Sequence, residues 1–196
     1  KQLLYLSLAT ALRGMRDNLR YIIWQPFALS LGIPVRDIGA LESLMDLAKI
    51  IIQPILGAAS DVYGRKKFLV ARELTVLAAG FCFLFAESWQ LLALGMVFIG
   101  LGIALIPIWH STVAESIKAN EMGVVFSLLG SAYMTTGMIG TIAAGWLADN
   151  MGYRTVYAIS VGFAVLSLIV TIFKIDETHK PSGKAKFTVR EAFTSL

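Results

Sequence analysis

Eleven residues, GAASDVYGRKK from Gly57 to Lys67, lie between two long apolar runs, residues 39–59 and 68–86. As a helix, each run is long enough to cross roughly 30 Å of hydrocarbon. A charged hairpin between two such runs has to sit at a membrane surface, because three consecutive cations, Arg65, Lys66 and Lys67, are too costly at bilayer depth. Cations gather on the cytoplasmic side, so this turn is expected there. Composition agrees: 57% of the 196 residues are hydrophobic and 15% charged, against roughly 45–50% and 25% in a soluble domain. Mean hydropathy is +0.71. The chain reads as an all-α, multi-pass integral membrane protein in contact with the lipid bilayer.

The net charge of +4 would suit nucleic acid only if the cations shared one exposed face; they stand in turns between apolar runs, so topology accounts for them and no nucleic-acid partner is expected. The single cysteine, Cys82, lies in an apolar run and offers neither a disulfide framework nor a cysteine metal cluster. There is no phosphate loop, zinc spacing, nucleophile elbow or hydrolase acid–base pair, so no enzyme activity, metal or cofactor is expected. The first apolar run leads into charges rather than a small-residue cleavage site, which argues against a signal peptide. A first residue that is lysine, and a last stretch that reads as a new helix, suggest an excerpt of a longer protein.

Six spans follow in order. The first, Leu3 to Leu31, crosses only if Arg13, Arg16, Asp17 and Arg20 lie near mid-membrane, where their spacing puts them on an arc of about 100°. After the turn Gly32-Ile33-Pro34, Asp37 is placed to cap a second span, residues 38–59. Its Glu42, Asp46, Lys49 and Gln53 fall within about 60° of one another. The third span is read over 68–86 and the fourth over 89–113, with glycines at 95, 100 and 102 for close helix contact and Pro107 for a bend. Asn120 caps a fifth span, 122–148, whose many small residues favour tight packing. The sixth, 153–173, has hardly a polar atom and reads as the most lipid-facing. Trp24 and Trp89 suit an interfacial aromatic belt. Residues 1–174 therefore form the bundle. Residues 175–196 read as a cytoplasmic linker, with Pro181, Ser182 and Gly183, followed by a helix opened by the capping pair Thr188 and Glu191.

Ten cations, Arg65, Lys66, Lys67, Arg72, Lys118, Lys174, Lys180, Lys184, Lys186 and Arg190, fall on one side of this topology, against Arg36 and Arg154 on the other. Both ends are expected in the cytoplasm, with the bundle in the plasma (inner) membrane.

The turn after the second span is repeated after the fifth. Gly57, Asp61 and Gly64 are spaced as are Gly145, Asp149 and Gly152, and Arg65 with Lys66 follows the first set as Arg154 follows the second. Three spans separate the copies, so they face opposite sides. That is the mark of an inverted three-plus-three repeat. The stretch Gly57 to Lys66, a glycine, an aspartate four later and then Gly-Arg-Lys, resembles the loop signature of the major facilitator superfamily; Ala59 stands where that family usually has leucine. The resemblance covers the amino-terminal six-helix half of a twelve-helix fold built around a central cavity. It implies secondary active transport of small solutes by alternating access, with a carboxy-terminal six-helix half as partner. It further implies that Asp61 serves an inner gate and that Arg65 pairs nearby acids such as Glu115. Met96 occupies the place of an arginine found in many proton-coupled members. Thr136, Gly137, Gly140 and Thr141 replace the antiporter signature of the fifth span.

The charged faces of the first two spans admit three readings. In the first they wall a substrate cavity in which Arg13, Arg16, Arg20 and Lys49 attract an anionic or amphiphilic solute, while Asp17, Glu42 and Asp46 balance them and carry protons. In the second they are permanent pairs, Arg20 with Glu42 or Asp46 and Asp17 with Lys49. In the third the first segment lies flat at the interface. His110 is a candidate proton relay, or simply wetted at a helix end; Tyr133 lines the cavity or bonds between helices. The rival to transport is a receptor or scaffold that keeps the fold and has lost the activity.

Overall fold

Two glycines with the same unusual backbone divide the bundle. Gly64 has φ 90° and ψ 150°, and Gly152 has φ 82° and ψ 161°. Each donates its amide to the carbonyl four residues back, Ser60 and Ala148, at 3.1 Å. This conformation is open essentially to glycine alone, so each glycine ends one helix and starts another without a loop. We describe residues 2–178 of the chain from a computed structural model. Among these, α1 spans Gln2–Ser30, α2 Val35–Tyr63, α3 Arg65–Leu84, α4 Trp89–Ala104, α5 Ile106–Glu115, α6 Met122–Met151 and α7 Tyr153–Lys174, with a 3₁₀ turn at Ala119–Glu121 and no strand.

Seven helices make six spans, because α4 and α5 are one 27-residue crossing broken at Leu105. Pro107 lies in the first turn of α5, where its missing amide and its ring forbid a continuous helix. The anticipated hairpin at 57–67 is a correction: 57–63 is helical and only Gly64 breaks the chain. Asp37 does not cap α2; Pro34 holds that position, and Asp37 sits within the first turn beside Arg36 at 3.0 Å. Asn120 likewise lies inside the 3₁₀ turn, and Glu121 precedes α6. The linker and capping pair expected at 181–191, with Lys180, Lys184, Lys186 and Arg190, lie outside the described residues.

The topology is the inverted repeat. The Gly64 turn and the Gly152 turn lie at opposite ends of the bundle, with three crossings between them. Helix α1 packs along α6 and α7, α2 along α4, and α3 between α4 and α7. Helices α1 and α2, neighbours in sequence, hardly touch. Two apolar cores result. One gathers Phe27, Phe83 and Tyr157, whose rings stand 5.1 and 5.4 Å apart about Tyr157. The other gathers Leu6, Leu69, Trp109 and Ile175 toward the Gly64 end. Trp24 belongs to the first core at 4% exposure, not to an interfacial belt, whereas Trp89 is 58% exposed as a belt residue would be. The sixth span, α7, is not featureless either: it buries Tyr157, Ser160, Ser167 and Thr171 against its neighbours. Helix α6 also carries exposed apolar side chains, Met138, Ile142 and Trp146 among them.

A side chain at position 152 would meet nothing within 4 Å, so only the backbone opposes it. Gly152→Ala is expected to cost about 1–3 kcal/mol through the forced positive φ, seen as a lower thermal unfolding midpoint of the detergent-solubilised protein. An unchanged midpoint would show that the turn relaxes freely.

Candidate functional site

Between the two cores, at the middle of α1, lies a cluster of charge. Arg13 and Arg16 are 2% and 1% exposed and fall between Ala9 of one core and Leu19 of the other. Their common partner is Glu73 of α3, itself fully buried. Arg13 Nε donates to Glu73 Oε1 at 2.7 Å, and Arg16 Nη1 to Glu73 Oε2 at 2.6 Å. Arg72 Nη1 adds a third bond to Oε1 at 3.2 Å. Arg16 Nε reaches Asp17 Oδ1 at 2.8 Å, and the Arg16 carbonyl accepts from Ser160 of α7 at 3.0 Å. One carboxylate thus ties α1 to α3 through charge-assisted bonds, which are the strong kind.

A cavity of about 400 Å³ opens beside this cluster, lined by Arg13, Asp17 and Arg72 and by Trp109, His110 and Phe126. A second, of about 390 Å³, shares Asp17, Arg72 and Tyr133 with it and adds Arg20. The guanidinium of Arg13 lies 3.8 Å from the Trp109 ring centroid, a cation–π contact. His110 meets Phe126 edge-on at 5.9 Å. Tyr133 of α6 donates to Asp17 Oδ2 at 3.4 Å, so it both lines the cavity and joins helices.

The sequence reading passes over Glu73 and groups Arg72 with the surface cations; both are buried in the cluster. The signal was present, since a carboxylate inside an apolar run of spanning length calls for a partner. The polar face of α2 goes elsewhere. Lys49 pairs with Asp46 of its own helix at 2.6 Å, Glu42 accepts from Gln25 at 3.2 Å, and Gln53 lines a separate pocket with Pro54 and Pro107. The expected pairs of Arg20 with Glu42 or Asp46, and of Asp17 with Lys49, do not form among the described residues. Apart from this Gln25–Glu42 bond α1 and α2 hardly touch, so the charges of the two faces are not brought together.

At the Gly64 end a second constellation assembles. Arg65 Nη2 reaches Asp61 Oδ1 at 3.2 Å and Glu115 Oε1 at 2.9 Å. Thr178 donates to Glu115 Oε2 at 2.8 Å. Glu177 accepts the backbone amides of Arg65 and Lys66 at 2.9 and 3.0 Å, placing an anion at the start of α3, where the helix dipole favours it. At the opposite end Arg154 pairs with Glu87 at 3.3 Å, and Asp149 is exposed in the last turn of α6, beyond Gly145. Glu177, just past the sixth span, was not anticipated.

Two inverted three-helix units that bury a charged cluster beside a cavity define a six-span half of a membrane transporter fold. The chain belongs to the Major Facilitator Superfamily, whose sequence profile matches residues 6–195. Members of that family are transporters, not enzymes. The chain is 29% identical over 160 residues to the multidrug resistance protein MdtG of Klebsiella pneumoniae (strain 342), and 30% identical over 160 residues to that of Escherichia coli O1:K1 / APEC. Each alignment covers 81% of this chain and 39% of the relative. In three dimensions the chain is similar to the crystal structure of the human organic anion transporter MFSD10 (TETRAN), with a TM-score of 0.79 at 16% identity, covering all of this chain and 52% of that one. The chain therefore spans about two-fifths of the curated relatives it matches and about half of that structure.

Proposed function

We propose that this chain is the amino-terminal half of a secondary active transporter that moves small anionic or amphiphilic solutes by alternating access, with a second six-helix half closing the cavity. The relatives named for multidrug resistance agree with a broad solute range. One observation carries the reading: ionised side chains at bilayer depth open onto a cavity with polar and aromatic walls. Such groups are costly in hydrocarbon and mark solute or ion pathways. Asp17, at 19% side-chain exposure and facing both cavities, is the proton carrier in this account. Glu42, Asp46, Lys49 and Gln53 line the face of α2 that looks toward the other half. The Gly57, Asp61, Gly64, Arg65, Lys66 and Glu115 set acts as the cytoplasmic gate, and Gly145, Asp149, Gly152 and Arg154 as its outer counterpart. The membrane is the plasma (inner) membrane, with both ends of this half inside.

Solute uptake by the full-length protein in liposomes under an imposed proton gradient tests the proposal. Absence of movement for anions, cations and neutral amphiphiles alike would favour a receptor or scaffold. Asp61→Asn is expected to cut transport at least about tenfold by removing a charge-assisted bond to Arg65, with membrane expression little changed. Equal losses of transport and expression would assign Asp61 to folding.

A further inference from the structure

The charge of the buried cluster does not balance. Among the described residues Arg13, Arg16, Arg20 and Arg72 face only Asp17 and Glu73, leaving two positive charges in excess. Geometry says where the excess lies. Glu73 spends both oxygens on Arg13 and Arg16, and its third bond, to Arg72, is the longest. Arg72 is 7% exposed, its Nε has no hydrogen-bond partner, and it lines both cavities. Arg20 lines the second cavity and forms no ion pair among the described residues. A buried guanidinium donor without a partner calls for an acceptor; of the three in this cluster, Arg13 Nη1, Arg16 Nη2 and Arg72 Nε, only the last belongs to a side chain that lines both cavities, and the half-buried Arg20 stands beside it. The wall beside Arg72 is aromatic, with the Arg13 guanidinium over the Trp109 ring and Phe126 edge-on to His110.

We infer that the substrates are aromatic organic acids, the acidic head seated between Arg72 and Arg20 and the ring lying on the Trp109–Phe126 wall. This rests on the transporter reading and narrows it. Arg13 and Arg16 are then positioning residues: Glu73 holds them, and Arg13 in turn steadies the wall. A fork of N–H donors suits a carboxylate or sulfonate, whereas an ammonium would meet the excess positive charge and be repelled.

The test is calorimetric titration of the full-length protein in lipid nanodiscs with benzoate, acetate and benzylammonium. Benzoate is expected to bind at least about tenfold more tightly than acetate, as an aromatic body buried on the wall requires, and benzylammonium not to bind. Arg72→Gln and Arg20→Gln should each weaken benzoate about tenfold through the lost charged hydrogen bonds. Arg72→Lys, which keeps the charge but loses the fork, should weaken benzoate less than Arg72→Gln does, and the exposed Arg36→Gln should leave the affinity unchanged. Arg20→Gln leaves no ion pair broken among the described residues, so its result stands even if Arg72→Gln misfolds on a sizing column. Benzylammonium binding as well as benzoate, benzoate indifferent to both Arg→Gln changes, or benzoate failing to bind the wild type would each overturn the inference. If benzoate binds in the expected pattern yet crosses no liposome membrane, the ligand class of the site stands and the transporter reading falls. If the protein transports benzylammonium regardless of Arg20, the reverse holds.

Discussion

Replacing Glu73 by Gln is expected to destabilise the folded protein by about 3–5 kcal/mol, the cost of breaking a buried ion pair from one side. Glu73 accepts from Arg13, Arg16 and Arg72 at 2.7, 2.6 and 3.2 Å, and it has no exposed surface through which water might replace them. The amide is nearly isosteric and carries no charge, so it leaves three guanidiniums facing one another where the dielectric is low. Repulsion acts directly on the seam between α1 and α3. The measurement is the thermal midpoint and monodisperse yield of the full-length protein in detergent. Pairing Glu73→Gln with Arg13→Gln removes one stranded cation and should recover part of the loss. If the single variant is as stable as wild type, the cluster is hydrated and the charge accounting is wrong; if the double variant is no better than the single, the penalty is steric.

Much of this architecture was legible in the chain. Run lengths located six crossings, and the paired Gly-x₃-Asp-x₂-Gly spacing located the inverted repeat, because the turn needs a residue tolerant of positive φ at one defined place. The Arg65–Glu115 contact was implied by the resemblance to the family, not by the spacing. The cluster was half legible. A helical period shows that Arg13, Arg16, Asp17 and Arg20 share a face, but not which helix that face meets. Adjacency in sequence suggested α2, and in the fold α6 and α7 come alongside α1 instead. Arg72 follows Lys67 by five residues and so reads as one more surface cation, although helix α3 already begins at Arg65 and carries Arg72 about two turns deeper. Once Arg72 is moved inward, Glu73 beside it has to move too. Caps failed for a related reason. Asp37 and Asn120 are good N-cap types, yet the helices start at Val35 and Met122, and the residues at the cap positions, Pro34 and Glu121, bond no free amide through their side chains.

Gly14→Leu is the second large expected effect, at about 3 kcal/mol, because it forces apart the most extensive helix pair of the bundle. Even a single added carbon at position 14 would collide with the Tyr133 carbonyl oxygen and the Thr136 hydroxyl on α6. A side-chain tip can rotate away, but a backbone carbonyl can yield only if α6 shifts as a whole. Small residues at membrane helix crossings exist to permit this approach, since lipid supplies no hydrophobic force to drive helices together. The Gly14 carbonyl also accepts from Asn18 Nδ2 at 2.9 Å, and Asn18 in turn lies against Gly137, so displacement at one crossing point loosens the next. Moving α6 outward carries Tyr133 away from Asp17 and widens the cavity, so transport should fall together with stability. Gly162→Leu on α7, where an added carbon meets nothing within 4 Å, is the matched control and should stay within about 0.5 kcal/mol of wild type. Comparing the unfolding midpoints of the two leucine variants isolates the crossing from the general effect of adding bulk to a membrane helix. Equal midpoints would mean that α1 and α6 are not pressed together at Gly14, and the cavity wall built on their contact would have to be redrawn.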